Sequence, residues 1–212
     1  MTFCGGEGAG KSTQAKKLFE FLKKRKFSCV LTKEPGGTEI GLMIRKILLS
    51  PENSDIFNKT ELLLYLADRA EHFHKIIAPS LEKGKIVICD RFIDSTLVYQ
   101  GKARGMDCDF IKSAHNYILG DFLPDLTLVL DCGPKFGLER VETDLQNGAR
   151  SVDESRFDSE KLSFHEKIRE GFLELVKNNK NSRFYLINAE KTVEQVFADI
   201  KSAIFEKGII KA

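Results

Sequence analysis

The chain has 212 residues, 42% hydrophobic and 30% charged, the balance of a folded globular protein rather than a disordered or fibrous one. Lys and Arg number 33 against 31 Asp and Glu, a formal net charge of +2, so no overall field favours nucleic acid or an anionic membrane surface. No apolar run approaches the ~20 residues that span a bilayer, and five scattered cysteines without a Cys-x-x-Cys pair give neither a disulfide framework nor a zinc signature.

In chain order, short apolar runs predict strands at Thr2–Cys4, Cys29–Thr32, Ile86–Cys89, Leu126–Asp131 and Phe184–Ile187. Helical periodicity covers Lys11–Lys26, Glu39–Leu49, Thr60–Leu81, Asp109–Leu119, Lys135–Leu145, Glu160–Asn178 and Val193–Lys207. This alternation predicts an α/β protein, a five-stranded parallel sheet covered by helices on both faces, in one domain over 1–212. Cys29, Cys89 and Cys132 fall in or beside strands, as small buried hydrophobes. The thiols and the lack of an export segment point to a cytoplasmic protein. The stretch Thr143–Asp158 is polar, contains Gly148 and lacks apolar periodicity. It reads as a solvated loop or as a mobile lid over a site.

Gly5-Gly6-Glu7-Gly8-Ala9-Gly10-Lys11-Ser12 matches G-x-x-x-x-G-K-[ST] in full, between an apolar run and an amphipathic helix. The glycines allow a tight turn whose N–H groups point inward as an anion nest, and the helix adds its positive dipole end. Lys11 would reach the β- and γ-phosphates of a nucleoside triphosphate, and the Ser12 hydroxyl would ligate Mg²⁺, with Thr13 in the same turn. The preceding strand has only Met1–Cys4, short for the centre of such a sheet, as if truncated or missing residues at its start. A guanine reader (Asn/Thr-Lys-x-Asp after a strand) has its nearest approach in Asn58-Lys59-Thr60-Glu61, which lacks the aspartate and opens a helix. A small kinase remains.

Further along, Asp90 ends an apolar strand, where a carboxylate can face a Mg²⁺ shell, and Arg91 beside it can clamp a phosphate through its planar fork. A surface Asp–Arg pair would read the same. Tyr65 and Arg69 stand four apart and share a helix face. They suit an aromatic stacked on a base with a guanidinium at its carbonyl edge, and equally a core aromatic beside a surface arginine. Ser95 and Thr96 suit a pocket wall or the cap of a following helix.

The phosphate loop, Lys33-Glu34-Pro35-Gly36-Gly37-Thr38, Leu63-Leu64-Tyr65-Leu66-Ala67-Asp68-Arg69 and Asp90-Arg91-Phe92-Ile93-Asp94-Ser95-Thr96-Leu97-Val98-Tyr99-Gln100-Gly101 together resemble the thymidylate kinases. The resemblance runs on through Gly120–Asp125 and Phe164–Phe172. It implies the three-layer αβα P-loop kinase fold with a lid. It also implies transfer of the γ-phosphoryl of ATP to dTMP with Mg²⁺, for dTTP synthesis, in a cytoplasmic homodimer packed through helices such as Thr60–Leu81 and Asp109–Leu119. The alternative is a kinase for another deoxynucleotide or nucleoside. By resemblance, Tyr65 stacks on thymine, where the family usually has Phe, and Arg69 reaches the base carbonyl. Ser95, Thr96 and Gln100 contact the base, and Tyr99 closes on the sugar. Glu34 and Pro35 border the acceptor phosphate, Arg91 bridges it to the donor, and Glu7 meets the sugar 3′-hydroxyl and the Mg²⁺ waters.

Two departures stand out. The family's extra catalytic basic residue lies either just after the acidic residue of the phosphate loop, which here is Gly8, or in the lid. The lid carries Glu142 and Asp144 where a basic run is expected, leaving Arg150 and Arg156. Arg150 is the favoured candidate, because Arg156-Phe157-Asp158 resembles a lid anchor. Cys4 stands where the family usually has Glu, which calls for a compensating water or partner.

Overall fold

The structure, a computed structural model, describes residues 1–178 and 183–210. The elements run β1 (Thr2–Cys4), α1 (Lys11–Lys24), β2 (Cys29–Lys33), α2 (Glu39–Leu49), α3 (Asn58–His72), α4 (Ala78–Glu82), β3 (Ile86–Asp90), α5 (Ile93–Thr96), α6 (Cys108–Leu119), β4 (Thr127–Asp131), α7 (Pro134–Gln146), α8 (Leu162–Asn178), β5 (Phe184–Asn188) and α9 (Val193–Glu206). The strands form one parallel sheet in the order β2-β3-β1-β4-β5.

Strand alternation divides the interior into two layers. Phe3, Ile88, Leu128 and Leu130 face α1 and α9, packing on Ala15, Leu18, Leu22, Val196, Ile200 and Ile204. Cys4 and Val129 point the other way, toward Val98, Tyr99, Ile168 and Phe172. Burial on both faces is why the central strands read as continuous apolar runs. Three-residue β1 pairs with β3 through Thr2↔Cys89 and Phe3↔Asp90, and with β4 from Thr2↔Thr127 to Cys4↔Val129. The chain leaves β1 toward β2, and β4 lies on the other side, so a crevice opens at the carboxyl ends of β1 and β3.

The expected helix over Thr60–Leu81 is broken. After α3 the chain widens into a π-helical turn at Phe73–Ile77 before α4 resumes. Pro79 lacks an N–H and crowds the preceding turn, so the regular ladder cannot run through it. A second π-helical stretch, Leu97–Ala103, extends α5. Buried polar Asp94, Ser95, Thr96 and Gln100 interrupt its apolar pattern, so periodicity does not reveal it. The polar stretch Thr143–Asp158 begins inside α7, which runs to Gln146, and then folds through a short 3₁₀ turn at Val152–Glu154.

Candidate active site

The phosphate loop joins β1 to α1, and its shape depends on glycine. Gly8 has φ of 68°, and a Cβ there would sit 1.9 Å from the Gly137 carbonyl oxygen on α7. Any other residue would have to displace backbone. Lys11 Nζ donates to the Gly6 carbonyl at 2.6 Å, folding back over the loop. Arg140 of α7 donates to the carbonyls of Gly8 and Ala189 and stacks on Phe136, bracing the loop from outside.

A single cleft of about 1070 Å³ gathers Glu7 to Thr13, Glu34, Pro35, Tyr65, Arg69, Asp90, Arg91, Ser95, Thr96, Tyr99, Gln100 and Arg150. Arg156 is not among its walls.

Where β3 ends, Arg91 adopts φ of 67°, an uncommon value for a residue with a Cβ. Its Nη2 donates to Glu7 Oε1 at 2.7 Å, and the Tyr99 hydroxyl donates to the same oxygen at 2.8 Å. Burial alone would raise the Glu7 carboxyl, but Arg91, Lys11 and Arg150 outweigh it and hold it well below the usual carboxylate range. Burial and the charge of Arg91 bring the Lys11 ammonium down to about 8, with Glu7 and Asp90 opposing. Arg91, Lys11 and Arg150 thus stand against Glu7 and Asp90 at this end of the cleft, an excess of positive charge suited to a polyanion.

Ser12 Oγ donates to Asp90 Oδ2, and Asp90 Oδ1 is buried with no partner among the described residues. A hydroxyl and a carboxylate with one orphaned oxygen are hard donors that fit Mg²⁺, which takes its remaining ligands from water and phosphate.

On the acceptor side the reading of Arg69 as a surface residue fails: it is 1% exposed. Nε and Nη2 donate to Glu34 Oε2, and Nη1 to Thr96 Oγ1 and His115 Nε2, while the guanidinium lies over Phe92. His72 Nδ1 meets the other Glu34 oxygen at 2.9 Å. Glu34 is therefore occupied on both oxygens by protein groups. Tyr65 is half-buried on the cleft wall, against the cluster containing Tyr99 and Phe157. Ser95 and Thr96 lie within α5 rather than capping a helix. The Ser95 hydroxyl sits 3.8 Å from Cys4 Sγ, a polar partner for the thiol, which burial and Asp94 push up to about 12. Gln100 donates to Glu61 Oε1 at 2.9 Å.

The two arginines of the polar segment separate. Arg150 forks onto both oxygens of Asp158 at 2.9 and 2.8 Å and lies 3.8 Å from Glu7. Arg156, expected as a second candidate for the moving phosphoryl, is instead 3% exposed and holds Glu61 Oε2 at 2.7 Å and the Leu48 carbonyl. It pins the segment to α2 and α3. Arg45 and Glu154, missed in the sequence, make a bidentate pair at 2.7 and 2.6 Å across the cleft mouth, and Arg45 also reaches the Pro35 carbonyl. Neither belongs to a motif, and charged residues on an amphipathic helix and a polar loop carry no local signal. Arg140 and His115 were missed for the same reason.

Comparison with known proteins agrees with this geometry. The family model for thymidylate kinase matches residues 3–200. The thymidylate kinase of Desulforapulum autotrophicum is 47% identical over 96% of this chain and 89% of its own length. That of Onion yellows phytoplasma is 45% identical over 97% and 96%. The crystal structure of thymidylate kinase from Ehrlichia chaffeensis superimposes with a TM-score of 0.75 at 32% identity, covering 96% of each chain. The chain belongs to the thymidylate kinase family, ATP-dependent nucleoside monophosphate kinases that phosphorylate dTMP to dTDP.

Proposed function

We propose that this chain transfers the γ-phosphoryl of ATP to dTMP with the two nucleotides laid along the one cleft. The observation that carries this is the continuity of the cleft. It holds the phosphate loop and the Tyr65–Arg69 pair together, and Arg91 is anchored to the loop through Glu7. Residues Gly5 to Thr13 cradle the triphosphate, and Lys11 meets its β- and γ-groups. Arg91 and Arg150 neutralise charge on the moving group; Asp158, whose carboxyl burial pushes up to about 6 against the pull of Arg150, is a partner that a phosphoryl group can displace. The acceptor phosphate is already an anionic nucleophile, so positioning and charge neutralisation suffice without a general base. Ser12 and Asp90 would hold Mg²⁺, which supplies charge neutralisation and orientation of phosphate oxygens when bound.

Tyr65 stacks on the base and Arg69, hydrogen-bonded to Thr96 beside it, donates to its carbonyl edge, with Ser95, Thr96 and Gln100 also contacting the base. Tyr99 closes on the sugar, and Glu7 takes the 3′-hydroxyl. Pro35 borders the acceptor phosphate, while Glu34 acts by holding Arg69. The segment 143–158 serves as the lid, with Arg156 as its anchor. The shared hydrophobic clusters support one domain over 1–212. Exposed Leu63 on α3 and Phe110 and Tyr117 on α6 support a homodimer through those helices. The five free cysteines suit a reducing cytoplasm, and no helix among the described residues is long and apolar enough to cross a membrane. ADP release with MgATP and dTMP, compared between the native chain and Arg91→Ala, tests the reading. Turnover that survives the substitution within tenfold would refute the role of Arg91.

A further inference from the structure

A guanidinium has five N–H groups, and the protein engages four of those on Arg69. Nε and Nη2 share Glu34 Oε2 at 2.9 and 2.6 Å, and both Nη1 hydrogens are taken, by Thr96 Oγ1 at 2.9 Å and His115 Nε2 at 2.7 Å. One Nη2 hydrogen has no partner among the described residues, and it belongs to a group on the cleft wall. His115 lies on α6, 6% exposed and behind that wall rather than on it.

Arg69 has no lone pair, so His115 Nε2 accepts, and the ring is neutral with its proton on Nδ1. Burial and then the charge of Arg69 lower the imidazole to about 3, consistent with that state. Glu34 fixes one edge of the guanidinium plane, but a carboxylate oxygen shared by two N–H groups leaves the plane free to rock. Thr96 is a hydroxyl that can follow such motion. His115 is a ring on a rigid helix, and it sets the opposite corner.

We propose that His115 is a positioning residue for the acceptor base. By accepting from Arg69 Nη1 it locks the guanidinium so that its single free N–H meets the base carbonyl. This rests on the reading of Arg69 as the group that contacts the base. A keto oxygen at that point accepts the N–H, whereas the exocyclic amine of a cytosine presents hydrogens to it, so a locked donor also discriminates between the two bases.

The test uses His115→Leu, which removes the acceptor, and His115→Gln, whose amide oxygen can occupy the Nε2 position. His115→Leu is expected to raise KM for dTMP about tenfold, the size of one lost charge-assisted hydrogen bond, with KM for MgATP within twofold. The preference for dTMP over dCMP in kcat/KM narrows in parallel, and His115→Gln recovers most of both. Unchanged dTMP parameters in His115→Leu would overturn the proposal, as would equal changes in KM for both nucleotides or no rescue by Gln. Should His115→Leu not fold, His115→Met at similar volume takes its place with the same outcomes. Arg69→Met separates the two claims. If it leaves dTMP KM and base preference unchanged, the reading of Arg69 fails. If it alters them while His115→Leu does not, only the role of His115 fails.

Discussion

Arg91 Nη2 and Glu7 Oε1 stand 2.7 Å apart, tying the end of β3 to the loop that follows β1. An acidic residue inside an anion-binding loop costs affinity for phosphate unless another task requires it, and here it orients the arginine. Glu7→Gln is expected to leave MgATP affinity unchanged or improved while kcat with dTMP falls about tenfold or more. Titration calorimetry and steady-state kinetics check this; a variant that loses ATP binding first would show Glu7 to be a phosphate-loop structural element instead.

The two lid arginines should part in opposite directions. Arg150→Ala is expected to lower kcat by ~10³, within the range for a charge-stabilising arginine, with its unfolding midpoint nearly unchanged. Arg156→Leu strips Glu61 of a buried partner and should cost about 3–5 kcal/mol in denaturant unfolding. Comparable kcat losses with intact stability in both would contradict the division.

Lys11 titrates near 8 in the free protein, and a triphosphate needs it charged. Binding of ATP should therefore weaken above pH 8, by up to tenfold per pH unit for one linked proton, and take up a proton from solution there. Calorimetry in buffers of differing ionisation heat reads that uptake directly. Affinity flat to pH 9.5 would rule out the linkage.

Asp68 has one oxygen bonded to the Gly36 N–H and the other buried without a partner among the described residues. Burial, then Glu34, push its carboxyl up to about 6. The folded chain thus holds a proton that the unfolded chain releases near pH 3.9, and stability from this group falls as pH rises through that window. Asp68→Asn should stabilise the protein by about 1–3 kcal/mol at pH 8 and by little at pH 4, as thermal or urea unfolding at the two values would show. Destabilisation at pH 8 would mean that the charge is used by the network around Glu34.

The parallel sheet was legible because central strands buried on both faces leave apolar runs such as Ile86–Cys89, and the phosphate loop because Gly5, Gly10, Lys11 and Ser12 stand at the motif's spacing. The order of the strands and the demand for glycine at Gly8 came only with the structure. Tyr65, Arg69, Asp90 and Arg91 were legible as motif members, and the cleft brings them together. What stayed hidden depends on tertiary neighbours. His115 looks like any helical histidine until α6 sets it against Arg69, and Arg45 like a solvated cation until Glu154 folds across to it. Arg156 and Arg150 are six apart in one polar stretch, and the resemblance of Arg156-Phe157-Asp158 to a lid anchor favoured Arg150, but only burial shows which groups Arg156 holds. The π-helical turn at Phe73–Ile77 was hidden too, since Pro79 signals disruption but not its form.

The central claim is that one cleft pairs ATP with dTMP, and acceptor selectivity tests it most directly. ADP release is measured with saturating MgATP and dTMP, dUMP, dCMP, AMP, GMP or thymidine in turn. The account predicts rapid turnover with dTMP, well ahead of every other acceptor, and none with thymidine, which lacks the phosphate that Arg91 would meet. Preferential turnover of thymidine, or of a purine monophosphate, would contradict it.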